Sequence, residues 1–305
     1  MPSLLETLTA QLREILQEAV HRLILQGQLP DVPFPPISLR SQSPALPRRK
    51  STPVCGDLSS SFPLAAAGAF RQSPGQLAAL LHAQISPAVL VSEGFFSGCS
   101  NAPSGHLNFF FSDFFYAQSI LGILSVKKSD PKANEEFSGH SFSFADFFES
   151  RGSVQPQDPL QLFPRLYPPD CFGQTERSLK KEAEIKLLYF RYTWRRIADI
   201  LTALSYDGIH PDPATSESLS GVYTRTSERA LIRHLAHAPP SLRTSTPENA
   251  LEYALDLATL FHGFYDRCRI RGQSPSVISG RIHLCHAVQI VLSQCFRLFA
   301  LPPPG

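Results

Sequence analysis

Residues 186–203 read KLLYFRYTWRRIADILTA, a stretch in which aromatic side chains alternate with arginines. Together with the charged residues just before it, this stretch predicts one long amphipathic helix over 176–205, because its apolar residues recur at the period of an α-helix. A helix with one apolar face has to bury that face against other elements. The stretch therefore predicts a helical bundle in this part of the chain.

The residues that follow extend the helical prediction to the end of the chain. Helices are expected over 227–238, 246–271 and 279–300, and Thr246-Pro247 supplies an N-cap and a first-turn proline for the second of them. The last helix carries apolar residues spaced alternately three and four apart, as in a bundle core: Cys285, Val288, Leu292, Cys295 and Phe299. Residues 176–305 are thus predicted to be all-α.

The N-terminal part predicts a small α+β domain that ends near residue 118. Leucines spaced three and four apart over 3–27 predict a first helix, and Gly27 predicts its end. The other expected elements are an edge strand at Ile37–Arg40, helices over 58–70 and 73–84, and strands over 89–96 and 105–112. The predicted fold class is α+β: a domain over 1–118, a linker with aromatic anchors over 119–175, and an α-helical bundle over 176–305.

Composition narrows the class of protein. Of the 305 residues, 43% are hydrophobic and 18% are charged, which is enough apolar material for a packed core. The sequence has no apolar run of about 18 residues, so neither a membrane span nor a membrane partner is expected. The six cysteines show no C-x-x-C spacing and the N-terminus does not resemble a secretory signal, which favours a cytoplasmic protein with reduced thiols.

The net charge of +2 hides an uneven distribution of charge along the chain. Residues 186–305 carry 13 Lys and Arg residues, 12 of them Arg, against 9 Asp and Glu residues. An Arg-rich surface fits a phosphate-bearing partner, and a solvated helical surface would have the same composition.

The sequence contains no pattern of catalytic residues. It has no phosphate-binding loop, no dinucleotide-binding glycine pattern and no G-x-S-x-G motif. His283 and His286 share one face of the last helix while Cys285 faces its apolar seam, and no fourth ligand is apparent, so no metal site is predicted. We therefore expect no cofactor and no enzymatic activity.

What remains is an interaction surface on the helices of the C-terminal part. Arginines of 186–203 and of Tyr265–Arg271 can hold phosphates in a fork geometry, and the tyrosines between them can stack on unpaired bases. The alternative is that Tyr189, Tyr192 and Trp194 fill the core of the bundle.

The same stretches resemble the C-terminal DALR anticodon-binding domain of arginyl-tRNA synthetases. That family shows a Tyr-x-x-Tyr-Ala-His-Ala-Arg-Ile pattern, which is similar to Tyr189–Ile197 of this chain. Residues 249–269, NALEYALDLATLFHGFYDRCR, share the family's Phe-x-x-Phe-Tyr-x-x-Cys-Arg pattern. Residues 227–235 and 281–301 resemble the helices at the matching positions.

The N-terminal part resembles the N-terminal tRNA-binding domain of the same enzymes. The resemblance rests on Gly56-Asp57, on Ser73-Pro74 and on residues 104–109, SGHLNF, which are similar to a Gly-x-Ile-Asn-Phe strand. Together the two resemblances cover roughly residues 1–118 and 186–305.

The sequence also departs from that family. Between the two ends such synthetases carry a class I catalytic domain, and residues 119–185 are too few for its doubly wound sheet. The His-Ile-Gly-His and Lys-Met-Ser-Lys-Ser signatures of the ATP site are absent from the sequence. Trp194 stands where the family has a histidine, and the chain ends in Pro302–Gly305 where the family has a charged tail.

The resemblance implies a non-catalytic tRNA-binding protein that binds the anticodon arm, of an arginine tRNA in the first place, and assists aminoacylation or tRNA modification. The residues expected to contact tRNA are Arg191, Tyr192, Arg195, Arg196, Tyr265 and Arg269, with Asn108 and Phe110 contacting the D-arm. The alternative is an adaptor without RNA binding that docks on a synthetase or a tRNA-modifying enzyme. Exposed phenylalanines within 109–115 and 142–148 would support that alternative.

Overall fold

The computed structural model describes residues 4–41, 56–85, 94–129, 176–238 and 247–298. The chain divides into two compact units, Met1–Gln118 and Ser119–Gly305. The predicted fold class is confirmed, because the described residues are mostly helical and their antiparallel sheet lies in the N-terminal unit. The predicted linker over 119–175 lies mostly outside the described residues, so the three-part division stays a prediction.

Helix α1 (Leu4–Leu25) opens the N-terminal unit, close to the bounds that the leucine spacing predicts. Gly27 ends it with a φ of +71°, a left-handed conformation that glycine adopts without steric cost. The residues that α1 buries form the predicted apolar stripe: Leu5, Leu8, Leu12, Leu16, Ala19, Val20 and Leu23.

A four-stranded antiparallel sheet forms the second layer of this unit. Its strands are β1 (Arg40–Ser41), β2 (Leu58–Ser60), β3 (Phe96–Asn101) and β4 (Leu107–Phe111), in the order β1-β2-β4-β3. In β4, Phe109 lies opposite Leu58 on one side and opposite Cys99 on the other. The sheet is thus built around β4, whose Leu107, Phe109 and Phe111 are buried.

The prediction of a helix over 58–70 is wrong for its first residues. Residues 58–60 form β2, and only the short helix α2 (Phe62–Ala66) follows. Ser60 explains the difference, because it lies opposite Leu107 in the sheet and its hydroxyl donates a hydrogen bond to the Ser38 carbonyl at 2.8 Å. Pairing with residues distant in sequence overrides the local helical pattern.

Two further predictions around the sheet need correction. The strand expected over 89–96 begins at Phe96, and residues 86–93 lie outside the described residues. The segment after 118, expected to be irregular, starts inside helix α4 (Asp113–Ser129). The sequence signal for α4 is Ser112, whose hydroxyl accepts a hydrogen bond from the Phe115 backbone N–H at 3.3 Å, as an N-cap does.

Gly56 and Asp57, which lie just before β2, contact the end of β4 and the start of α4. A Cβ at Gly56 would lie 2.7 Å from the Phe109 backbone nitrogen, so a larger residue would push β4 away. The Asp57 carboxylate accepts hydrogen bonds from the Phe111 N–H at 2.7 Å and from the Tyr116 hydroxyl at 3.3 Å. The two residues therefore hold the end of β4 and the start of α4 together.

Ser73-Pro74 opens helix α3 (Pro74–Gln84) as predicted, with Ser73 and Gln76 forming a capping box. Gly105 lies against Pro74, with a φ of +86° and so little space that a Cβ would clash with the proline ring. The turn between β3 and β4 thereby packs directly on the start of α3.

The C-terminal unit is a bundle of helices. They are α5 (Glu176–Tyr206), α6 (Ser216–Leu219), α7 (Thr226–Ala236), α8 (Pro247–Arg267) and α9 (Pro275–Leu298). The predicted bounds of α5, α7 and α8 hold to within a few residues, whereas the short α6 was not predicted. Helix α9 begins four residues earlier than predicted because Pro275 opens its first turn, and residues 299 and 300 of the predicted helix lie outside the described residues.

Helices α5 and α9 pack through aromatic side chains. Phe190 stacks on Phe296 with ring centroids 4.0 Å apart, and the Trp194 indole N–H donates to the Ser293 hydroxyl at 2.9 Å. Cys285 and Cys295 are fully buried in the predicted seam of α9, and burial raises the pKa of each thiol to about 12. At neutral pH both are protonated core residues and poor nucleophiles.

The described residues contain neither a candidate metal cluster nor a candidate membrane-spanning helix. No cluster of three or more His, Cys, Asp or Glu side chains within the described ranges could hold a metal ion. None of the helices in those ranges is both long enough and apolar enough to cross a bilayer.

A buried ion pair joins α7 to α9. The Arg281 guanidinium donates to the Glu228 carboxylate at 2.7 Å, and the side chains are 7% and 0% exposed. The other carboxylate oxygen of Glu228 accepts the Arg225 backbone N–H at 2.9 Å. The Glu228 carboxylate thus accepts a backbone N–H at the start of α7 and also neutralises the charge of Arg281 on α9.

We expect Glu228→Gln to lower the free energy of unfolding by about 3–5 kcal/mol, because it leaves the Arg281 charge buried without a counter-ion. Urea unfolding of the full chain, followed by far-ultraviolet circular dichroism, measures the loss. Glu217→Gln is the matched control, because Glu217 is exposed and its replacement should change stability by less than about 0.5 kcal/mol. Equal midpoints for the two variants would contradict the assignment.

Candidate nucleic-acid interface

Helix α5 sorts its aromatic side chains onto two faces. Phe190 and Trp194 are buried, whereas Tyr189 is 36% exposed and Tyr192 is 55% exposed. The hypothesis that all these aromatic residues fill the core is therefore correct for Trp194 and wrong for the tyrosines. The helical period leaves Tyr189 and Tyr192, three residues apart, on one accessible side of the bundle.

His262 of α8 lies against these two tyrosines. Its ring is nearly parallel to that of Tyr192, with centroids 5.8 Å apart and planes at 17°, and its centroid lies 5.5 Å from that of Tyr189. The Thr193 hydroxyl donates to the Tyr189 carbonyl at 2.9 Å and lies 3.1 Å from His262 Nε2. Because a hydroxyl has one proton, Nε2 carries the hydrogen of this second bond. The imidazole is therefore held in one orientation.

Arg196 and Tyr265 continue the arrangement along the two helices. The Arg196 guanidinium carbon lies 5.8 Å from the centroid of the Tyr265 ring, within the range of a cation–π contact. Tyr265 in turn lies nearly parallel to the buried ring of Phe261, with centroids 6.2 Å apart and planes at 19°. The Tyr265 ring therefore packs on Phe261 and also contacts the exposed guanidinium of Arg196.

The remaining predicted arginines of α5 differ in their surroundings. Arg195 pairs with Asp199 one turn later at 3.4 Å, and both side chains are more than half exposed. Such a pair contributes at most about 1 kcal/mol, so a stronger anion can displace the carboxylate. Arg191 is half-buried, and desolvation lowers the pKa of its guanidinium, which nonetheless stays charged at neutral pH.

These residues form one surface, which we call the aromatic–arginine face: Tyr189, Tyr192, Arg195, Arg196, His262 and Tyr265. It offers stacking planes next to cations, the combination that suits unpaired bases and their phosphates. His262 belongs to it although sequence analysis did not select it. The signal was present, because His262 precedes Tyr265 by three residues on the same helix and so shares its side.

The other predicted contact residues lie elsewhere. Arg269 is exposed and follows the end of α8, and its backbone carbonyl accepts a hydrogen bond from Arg281. Asn108 and Phe110 lie in β4 of the N-terminal unit. Asn108 is only 8% exposed, whereas Phe110 is half-buried. Their contact with tRNA stays a prediction.

His262 provides a direct check of the face. Burial lowers the pKa of its imidazole, the nearby Arg196 lowers it further, and Asp266 opposes the shift. We expect a nuclear magnetic resonance titration to place this pKa below the usual value of about 6.5. Arg196→Gln should raise the pKa of His262, and Asp266→Asn should lower it.

The lowered pKa of His262 also makes the stability of the fold depend on pH. The unfolded chain binds a proton more readily than the folded one, so this contribution to stability is complete above about pH 6.5 and is lost as the pH falls through the folded pKa. A pKa of His262 at or above 6.5, or one that neither variant moves, would contradict the packing described.

Two family models match the chain, each within one of its units. Residues 8–111 match the arginyl tRNA synthetase N terminal domain, and residues 190–305 match the DALR anticodon binding domain. The second range contains the whole aromatic–arginine face except Tyr189.

Curated relatives are each similar to part of the chain. The arginine–tRNA ligase of Psychrobacter cryohalolentis is 30% identical over 203 residues, which is 61% of this chain and 33% of the relative. That of Caldanaerobacter subterraneus subsp. tengcongensis is 26% identical over 172 residues, 54% of this chain and 30% of the relative. That of Ruminiclostridium cellulolyticum is 28% identical over 131 residues, 42% of this chain and 23% of the relative.

The chain therefore spans about a quarter to a third of the length of these relatives. The matched domains, their order along the chain and the folds of the two units agree with one another. The chain is an arginyl-tRNA synthetase-like protein that carries the N-terminal domain of that family followed by its DALR anticodon binding domain.

Proposed function

We propose that this chain binds tRNA without itself catalysing aminoacylation, and that the aromatic–arginine face contacts the anticodon arm. The observation that carries the proposal is the exposed Tyr192 ring, oriented by His262 and flanked by Arg195 and Arg196 on the same helix. A ring already held in place loses little conformational freedom when a base stacks on it. The neighbouring guanidiniums match phosphate in geometry as well as charge.

The relatives support an arginine tRNA as the partner. Each of those described above is named an arginine–tRNA ligase, and residues 190–305 of this chain match an anticodon binding domain. In this proposal Arg191 and Arg269 add phosphate contacts around the face, and Asn108 and Phe110 of the N-terminal unit contact the D-arm. The cytoplasmic location predicted from the sequence is part of the same proposal.

The absence of catalysis is proposed from what lies between the two matches. They leave only residues 112–189 between them, and a doubly wound nucleotide-binding sheet needs more chain than that. The ATP-site signatures of the family are also missing from the 305 residues. Assistance to aminoacylation or to tRNA modification is the role that fits such a chain.

We expect Tyr192→Ala to weaken binding of arginine tRNA by about 1–3 kcal/mol in a filter-binding titration, because it removes one stacking plane. Tyr206→Ala is the matched control, since Tyr206 is an 88% exposed tyrosine near the end of the same helix and outside the face. Equal losses in the two variants would show that the face does not select the RNA. Equal affinity of the wild type for tRNA and for an unrelated duplex RNA would refute tRNA recognition as a whole.

Catalysis has its own test. With ATP, arginine and arginine tRNA, the chain alone should form no arginyl-tRNA above background, while a full-length arginine–tRNA ligase in the same assay does. Formation of arginyl-tRNA that depends on ATP and on this chain would refute the non-catalytic part of the proposal and leave tRNA binding intact.

The adaptor hypothesis loses part of its expected support. Phe109, Phe111 and Phe115 are buried, and Phe110 and Phe114 are half-buried. None of the phenylalanines in the stretch 109–115 is fully exposed, as an adaptor surface would require. The second stretch, 142–148, lies outside the described residues. RNA binding is therefore the function that we propose.

A further inference from the structure

A small cavity of about 190 Å³ lies at one end of the C-terminal bundle. Residues from before α7, from the end of α8, from the loop after it and from α9 surround this cavity. They are Arg225, Asp266, Arg267, Arg269, Gln273 and Arg281. We call it the arginine pocket.

The base of the arginine pocket is buried and electrically balanced. Arg281 is 5% exposed, and its charge is offset by the buried carboxylate of Glu228. Glu228 also accepts the Arg225 backbone N–H, and Arg281 donates to the Arg269 carbonyl. The buried ion pair therefore fixes the backbone positions of two of the arginines that line the rim.

The rim carries an excess of positive charge. Arg225, Arg267 and Arg269 are exposed, and the carboxylate that lines the pocket with them is that of Asp266. The bond that Arg267 makes to its own helix, to the Gly263 carbonyl at 3.4 Å, is long and weak. Three cations and one anion leave a net charge of +2 around one cavity.

The backbone adds to this field. Arg225 is the N-cap residue of α7, an 11-residue helix, so the positive end of that helix lies at the pocket. The C-terminal end of α8 contributes a field of opposite sign, which the charge of Arg267 in its last turn offsets.

We propose that the arginine pocket binds a phosphate group. Three like charges around one cavity repel one another, and an oxyanion between them turns that repulsion into attraction. Guanidinium forks from three chain segments can donate to different oxygens of one phosphate. The pocket includes Asp266 and Arg267 at the same end of α8 as Tyr265, so an RNA bound to the aromatic–arginine face would bring further phosphates near it.

The phosphate can belong to an RNA backbone or to a small phosphate compound. The RNA source rests on the proposed function, and the small-compound source does not. Two measurements on the full chain separate them.

The first measurement uses inorganic pyrophosphate as the probe. Millimolar pyrophosphate should raise the thermal melting midpoint by a few degrees over sodium chloride of equal ionic strength, because a ligand that binds only the folded chain stabilises it. The double variant Arg225→Ala, Arg267→Ala should lose this rise and still fold, since both side chains are exposed. Arg40→Ala, which removes an exposed arginine outside both the pocket and the aromatic–arginine face, should keep it.

The second measurement is the salt dependence of tRNA binding. If the phosphate belongs to RNA, the double variant should reduce the slope of log affinity against log salt by about 2, one for each lost contact. A lost pyrophosphate effect with an unchanged tRNA slope would instead identify a small phosphate compound as the ligand.

The proposal is overturned if pyrophosphate raises the midpoint no more than sodium chloride does, or if the double variant keeps the rise. Failure of the proposed function has a different signature, namely no binding of tRNA by the wild type. The pyrophosphate result does not depend on that outcome.

Discussion

The packing of Phe190 and Trp194 against α9 is the constraint on which the C-terminal unit depends. Phe190 stacks on Phe296, and Trp194 buries its large indole without leaving its N–H unsatisfied, because Ser293 accepts it. Once these two side chains point inward, the period of the helix determines where their neighbours go. Tyr192, two residues before Trp194, has to face outward, and with it the arginines one turn further along.

The C-terminal unit contains a buried ion pair that stabilises the fold and an exposed ion pair that contributes little to stability. The pair of Glu228 and Arg281 is buried and close, so breaking it is costly. The pair of Arg195 and Asp199 is exposed, and its contribution is small enough for a phosphate to compete with the carboxylate. The arginines of residues 186–305 therefore differ in burial and pairing, a difference that a count of charges does not reveal.

The sequence predicts the elements whose signals are local. The leucine spacing of α1, the Ser73-Pro74 start of α3 and the seam of α9 as far as Cys295 appear in the structure, because capping and amphipathic periodicity act within a few residues. Phe299, the last residue of the predicted seam, lies outside the described residues. Strand β2 was missed, since its pairing with β4 joins residues far apart in the chain. His262 was missed for a related reason: its role comes from contacts with Thr193 and Tyr192 on another helix.

The replacement of the family's histidine by Trp194 bears on RNA binding only if that side chain reaches the surface. In this chain it does not, because Trp194 is 9% exposed and its indole N–H is bonded to Ser293 on α9. Trp194 therefore belongs to the packing between α5 and α9, whereas Tyr189 and Tyr192 of the aromatic–arginine face are exposed on the same helix. It follows that the resemblance to an anticodon binding surface should be judged at Tyr189, Tyr192, Arg196 and Tyr265, which are accessible, rather than at a position that the fold has made part of the core.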